Sequence, residues 1–85
     1  MRLYAIGERC NISGERIKEA RTRAGLSQEA LAARLQVRGL QVAQMAVSRM
    51  ETGKRVIADF ELPVLADALG VTVDWLLGLS SEPKK

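Results

Sequence analysis

Val42-Ala43-Gln44-Met45-Ala46-Val47-Ser48-Arg49-Met50-Glu51-Thr52-Gly53-Lys54-Arg55 reads as a short helix with two unlike faces, closed by a glycine and followed by two cations. Val47 and Met50 lie three apart, the spacing that stacks apolar side chains on one side of a helix. Gln44, Met45, Ser48 and Arg49 fall on the other side. A helix of this kind fits the major groove of duplex DNA, where amide and guanidinium groups read base edges while Lys54 and Arg55 meet phosphates. Sequence-specific DNA binding is therefore the first expectation, with the helix beginning between Gln41 and Gln44 and ending before Gly53.

Outward from this stretch the chain reads as more helices. Ile17, Ala20 and Ala24 repeat at helical spacing between Ser13-Gly14-Glu15 and Gly25, which gives helix 1. Ser27 is placed to cap helix 2, with Glu29 in its first turn and Leu31, Ala32 and Leu35 as its apolar stripe, ending near Leu35 or Val37. Asp59 is expected to cap helix 4, whose buried stripe is Leu62, Leu65, Ala66 and Leu69, with Pro63 in the first turn and Gly70 as the stop. Thr72 caps helix 5, which carries Asp74, Trp75, Leu76 and Leu77 before Gly78. The expected fold class is all-α, a compact five-helix bundle, divided into an arm at 1–13, a helix-turn-helix domain at 14–79 and a polar, disordered tail at 80–85.

Composition narrows the classes of function. With 85 residues, 47% of them hydrophobic and 27% charged, the chain has material for one small soluble domain. A net charge of +3 favours a polyanionic partner without the density of a histone-like protein. A single cysteine and no histidine rule out an intrachain disulfide and argue against a zinc site. No metal, no cofactor and no small-molecule effector is expected. Glu51, Asp59 and Asp74 form no set with a nucleophile, so an enzyme is not expected. There is neither a membrane-length apolar run nor a secretory signal, which places the protein in the cytoplasm. Asn11-Ile12-Ser13 matches a glycosylation acceptor but lacks that export context.

Four pieces, taken in order, resemble the lambda-repressor-like (xenobiotic-response-element) helix-turn-helix family. They are Arg16 to Arg21, Leu26 to Ala32, Val47 to Arg55 and Ala66 to Gly78, so the resemblance spans about Arg16 to Gly78. It implies that helices 2 and 3 form the helix-turn-helix. It also implies that Gln28 holds a phosphate, that Gln44, Met45 and Arg49 read bases with Ser48 on the same face, and that Lys54 and Arg55 contact the backbone. Arg49 would pair with guanine, Gln44 with adenine, and Met45 with a thymine methyl. Arg21 and Glu51 correspond to a buried ion pair that orients helix 3.

Where most members of the family place a single glycine, this chain has Gln36-Val37-Arg38-Gly39-Leu40-Gln41. That segment reads either as a surface extension of helix 2 with a turn at Gly39, or as a further backbone contact through Arg38 or Gln41. Trp75 reads as core or, with Leu76 and Leu79, as a dimer contact, since the family pairs through this region. Arg2, Tyr4 and Arg9 belong to an arm that could reach DNA or a partner subunit but is expected to be loose or packed on the domain. The resulting expectation is a transcriptional repressor that binds double-stranded DNA as a homodimer. The alternative is a protein-interaction module such as the antitoxin of a toxin-antitoxin pair.

Overall fold

In the computed structural model, which describes residues 7–84, five helices follow one another: α1 Gly14–Arg23, α2 Gln28–Val37, α3 Gln44–Glu51, α4 Glu61–Leu69 and α5 Val73–Leu76. The arm residues Arg2 and Tyr4 lie outside the described residues. One core joins the helices, built from Ile17, Leu31, Leu35, Val47, Met50, Leu65 and Leu76, each fully buried. Ala20, Ala32, Ala66 and Ala68 fill the gaps where a larger side chain would hold the helices apart. α3 packs against α1 and α2, which fixes its buried side from two directions.

The expected caps are present on α2 and α5. Ser27 Oγ accepts from Ala30 N at 3.0 Å, and Thr72 Oγ1 accepts from Trp75 N at 3.1 Å. α4 departs from expectation. Asp59 is not its cap: the helix starts two residues later, after Phe60, and the Glu61 side chain instead accepts from Ala58 N at 2.9 Å. Glu61 takes the buried position that the apolar reading assigned to Leu62, which is only half-buried. A pattern of apolar residues cannot show a buried carboxylate, because the partner that makes its burial tolerable comes from another segment.

The lengthened segment after α2 is an extension and a turn. Gly39 adopts φ +89°, a left-handed conformation that favours glycine. Leu40 N then returns to Leu35 O at 2.9 Å, and Leu40 rests on the core. Gln36 Nε2 donates to Val42 O at 2.7 Å, locking the approach to α3. Arg38 faces α4, with its Nε 2.6 Å from Asp67 Oδ2. It shares that side of α2 with Arg34, four residues earlier, which donates to Ala68 O.

Of the tail, residues 80–84 are described, and they lie against the bundle. Pro83 O accepts from Thr72 N at 2.8 Å, satisfying an N–H at the start of α5. Arg16 Nη1 holds Ser80 O at 3.0 Å and Trp75 O at 2.8 Å, while its guanidinium lies 4.7 Å from the centre of the Trp75 ring. Trp75 and Leu76 are core residues, 3% and 0% exposed, which removes them from the dimer candidates; Leu79 is 74% exposed.

Candidate nucleic-acid interface

α3 has eight residues and no side-chain cap at its N-terminus, so neighbouring elements must hold it. Its inner side buries Val47, Met50 and Glu51. Gln44, Met45 and Arg49 are exposed and Ser48 is half-buried, which puts the four expected reading residues outside the core.

A chain of hydrogen bonds runs from this outer face into the domain. Gln44 Nε2 donates to Gln28 Oε1 at 2.6 Å, and Gln28 Nε2 donates to Glu51 Oε1 at 3.0 Å. Arg21 grips the same carboxylate through Nε at 2.5 Å and Nη2 at 3.1 Å, and its Nη1 donates to Leu26 O. Side-chain exposure is 12% for Arg21 and 2% for Glu51, so the expected ion pair is present and buried. The charged hydrogen bond to Glu51 raises the Arg21 pKa above its ordinary value, against the opposing effect of burial. Gln44 uses one N–H on Gln28. Its carbonyl oxygen and second N–H remain as the donor-acceptor pair that an adenine edge requires.

Gln28 is the first residue of α2 and borders an open concavity lined also by Arg21, Ser27, Glu29 and Gln44. One N–H of its amide points to Glu51, leaving the second for an external acceptor. Lys54 is exposed and makes no ion pair among the described residues. Arg55 differs from expectation: Nη1 and Nη2 lie 2.9 and 2.8 Å from the two Glu61 oxygens, a bidentate pair that neutralises it. Arg38 points to the α4 side, where its Nε pairs with the exposed Asp67. The hydrogen bond from Arg55, together with Ala58 N–H, lowers the Glu61 pKa despite burial, and Arg55 is raised in return.

Three residues that carry the site are not assigned this role by the sequence: Asn11 reads only as a glycosylation match, Arg9 only as part of an arm loose or packed on the domain, and Gly14 only as part of the start of helix 1. Asn11 Oδ1 accepts from Gly14 N at 2.8 Å at the start of α1, while its Nδ2 donates to Met50 O at 3.0 Å and Arg55 O at 2.8 Å. The nitrogen a glycan would occupy is thus committed to two carbonyls. Arg9 Nη2 donates to Glu51 O at 3.2 Å. A Cβ on Gly14 would fall on the Met50 carbonyl oxygen and within 2.9 Å of Asn11 Oδ1, so only glycine lets α1 approach the end of α3 this closely. An Asn three residues before the first free N–H of α1 is a legible capping signal; Arg9 and Gly14 offered none.

Among the described residues no group of His, Cys, Asp or Glu could hold a metal, and no helix is long and apolar enough to cross a membrane.

Two helices joined by a turn, the second packed through one face and open on the other, define a helix-turn-helix domain. The family model described as Helix-turn-helix matches residues 17–76, and the chain belongs to that family, in its lambda-repressor-like form. The crystal structure of the P22 c2 repressor protein in complex with synthetic operator 9T in the presence of Tl+ is similar, with a TM-score of 0.68 and 27% sequence identity. The match covers 82% of this chain and 98% of that one.

Proposed function

We propose that this protein is a sequence-specific DNA-binding transcriptional regulator that acts as a cytoplasmic repressor, inserting α3 into the major groove of an operator as a homodimer and performing no chemistry. The observation that carries this reading is the split of α3 into a buried face of Val47, Met50 and Glu51 and an outer face of Gln44, Met45, Ser48 and Arg49. Supporting it, the similar P22 c2 repressor structure is a complex with a synthetic operator. Arg49 reads guanine, Gln44 adenine, Met45 a thymine methyl, and Ser48 serves either as a small hydrogen-bonding neighbour or a spacer. Gln28 and Lys54 hold backbone phosphates.

One such unit reads few base pairs, so two copies on half-sites about 34 Å apart form the working assembly. Of the residues near the C-terminal helix, Leu79 is the exposed apolar one available for subunit contact. Selection of bound sequences from a random duplex pool at fixed salt tests the reading. A palindromic consensus is the expected result, and a pool that emerges unenriched would overturn it.

A further inference from the structure

The C-terminal end of α3 is held by residues that precede the family match, which begins at residue 17. A helix end leaves its last carbonyls without partners inside the helix, and here each can be traced. Ser48 O accepts from Thr52 N, and Arg49 O from Lys54 N, both local closures of the helix end. Met50 O accepts from Gly53 N and from Asn11 Nδ2, and Glu51 O from Arg9 Nη2. Cys10 N donates to Gly53 O at 2.7 Å, so residues 9–11 run alongside the segment that leaves α3. Arg9 covers Gly53 closely enough that a Cβ there would lie 2.7 Å from its Cζ, and its positive charge sits at the negative end of the helix dipole. Its Nη1 is 3.9 Å from Glu15, a carboxylate too exposed to compete for it strongly.

Arg49 and Lys54 occupy the stretch that this clamp fixes. We propose that Arg9 and Asn11 are positioning residues for DNA docking: by capping the end of α3 from outside the helix-turn-helix, they set the pose of Arg49 and Lys54 against the duplex. This rests on the reading of α3 as the base-reading helix. The clamp touches no DNA itself. It restricts the tilt of a helix too short to hold its own direction, and a base contact is lost when its donor moves by about an ångström.

The test compares the full chain with Asn11→Ala, Arg9→Ala and Arg9→Lys, each well below its melting temperature, on the selected duplex and on a random one. In Asn11→Ala and Arg9→Ala the ratio of specific to random affinity should fall roughly tenfold, the size of losing one base contact, while random-duplex affinity changes less than about threefold. Arg9→Lys should recover much of the ratio, since an ammonium can donate to Glu51 O. Without DNA, amide exchange at Gly53 and Lys54 should quicken relative to Leu65 in the core, a local change that a general loss of stability would not give. An unchanged ratio in folded variants overturns the proposal; if Asn11→Ala does not fold, the two Arg9 variants decide it. A wild-type chain without preference among duplexes would refute the reading of α3 instead, and the exchange data would still report whether the clamp holds.

Discussion

Both oxygens of the Glu51 carboxylate are filled from within the domain, by Arg21 on two sides and Gln28 on one. Removing it leaves a guanidinium only 12% exposed without its counter-charge. Glu51→Ala should therefore cost about 3–5 kcal/mol, seen as a lower melting temperature with no DNA present, and a wild-type melt would show that the pair contributes nothing. It also frees Gln28, and through it Gln44, so what affects stability affects the reading face as well. Arg49 has no such internal role: it is exposed and makes no ion pair among the described residues. Arg49→Ala should leave the melt unchanged and relax preference at one base position by about 1–3 kcal/mol; equal loss on every sequence would remove its reading role. Lys54→Ala should weaken binding to all sequences and reduce the salt slope by about 0.9, checked by titration across salt. Arg21 and Glu51 were recognisable from the family resemblance. The fate of Arg55 was not, since in sequence it is simply the second of two adjacent cations, and only the fold puts Glu61 opposite it.

At the scale of elements, helix existence followed from local rules, because spacing, caps and glycine stops act within a few residues. The start of α4 escaped them. Asp59 has the chemistry of a cap, yet the chain there is occupied in presenting Glu61 to Arg55 and Ala58 N. This pair gives a pH signature. The Glu61 pKa is lowered in the folded state, so its contribution is fully present above the ordinary value near 4.5 and is lost as pH falls from there through the lower folded value. Glu61→Gln should lower stability at neutral pH and flatten the acid side of a plot of melting temperature against pH below about 4.5. Parallel acid limbs for variant and wild type would contradict the assignment. The lengthened segment between α2 and α3 could be read as an extension with a glycine turn or as a further backbone contact; what sequence could not say is that Arg38 turns toward Asp67. Helical phase sets that direction, and the phase matters only once α4 is in place.

For the whole molecule, both described ends fold back on the bundle: residues 9–11 onto the end of α3 and residues 80–84 onto the start of α5. That leaves Leu79, 74% exposed beside the returning tail, as the residue on which the proposed dimer is testable. Leu79→Glu should preserve the melt while weakening self-association by about tenfold or more, roughly 1.4 kcal/mol, measured by sedimentation across a concentration series. An unchanged monomer-dimer equilibrium would place the interface elsewhere.

The sequence by itself determined the helices, the apolar face of α3 and the outer face that could meet DNA, because each depends on periodicity and on capping within a few residues. Tertiary structure alone decided which charges remain available. Lys54 and Arg55 are neighbours of the same sign, but one is exposed and the other is held by two oxygens of Glu61. It alone also decided that Arg9 and Asn11 close the end of α3, across separations of 42 and 39 residues. A charge or a carbonyl has no partner written beside it in the chain; long-range folding supplies one, and with it the difference between a residue that holds the reading helix and one that meets the DNA.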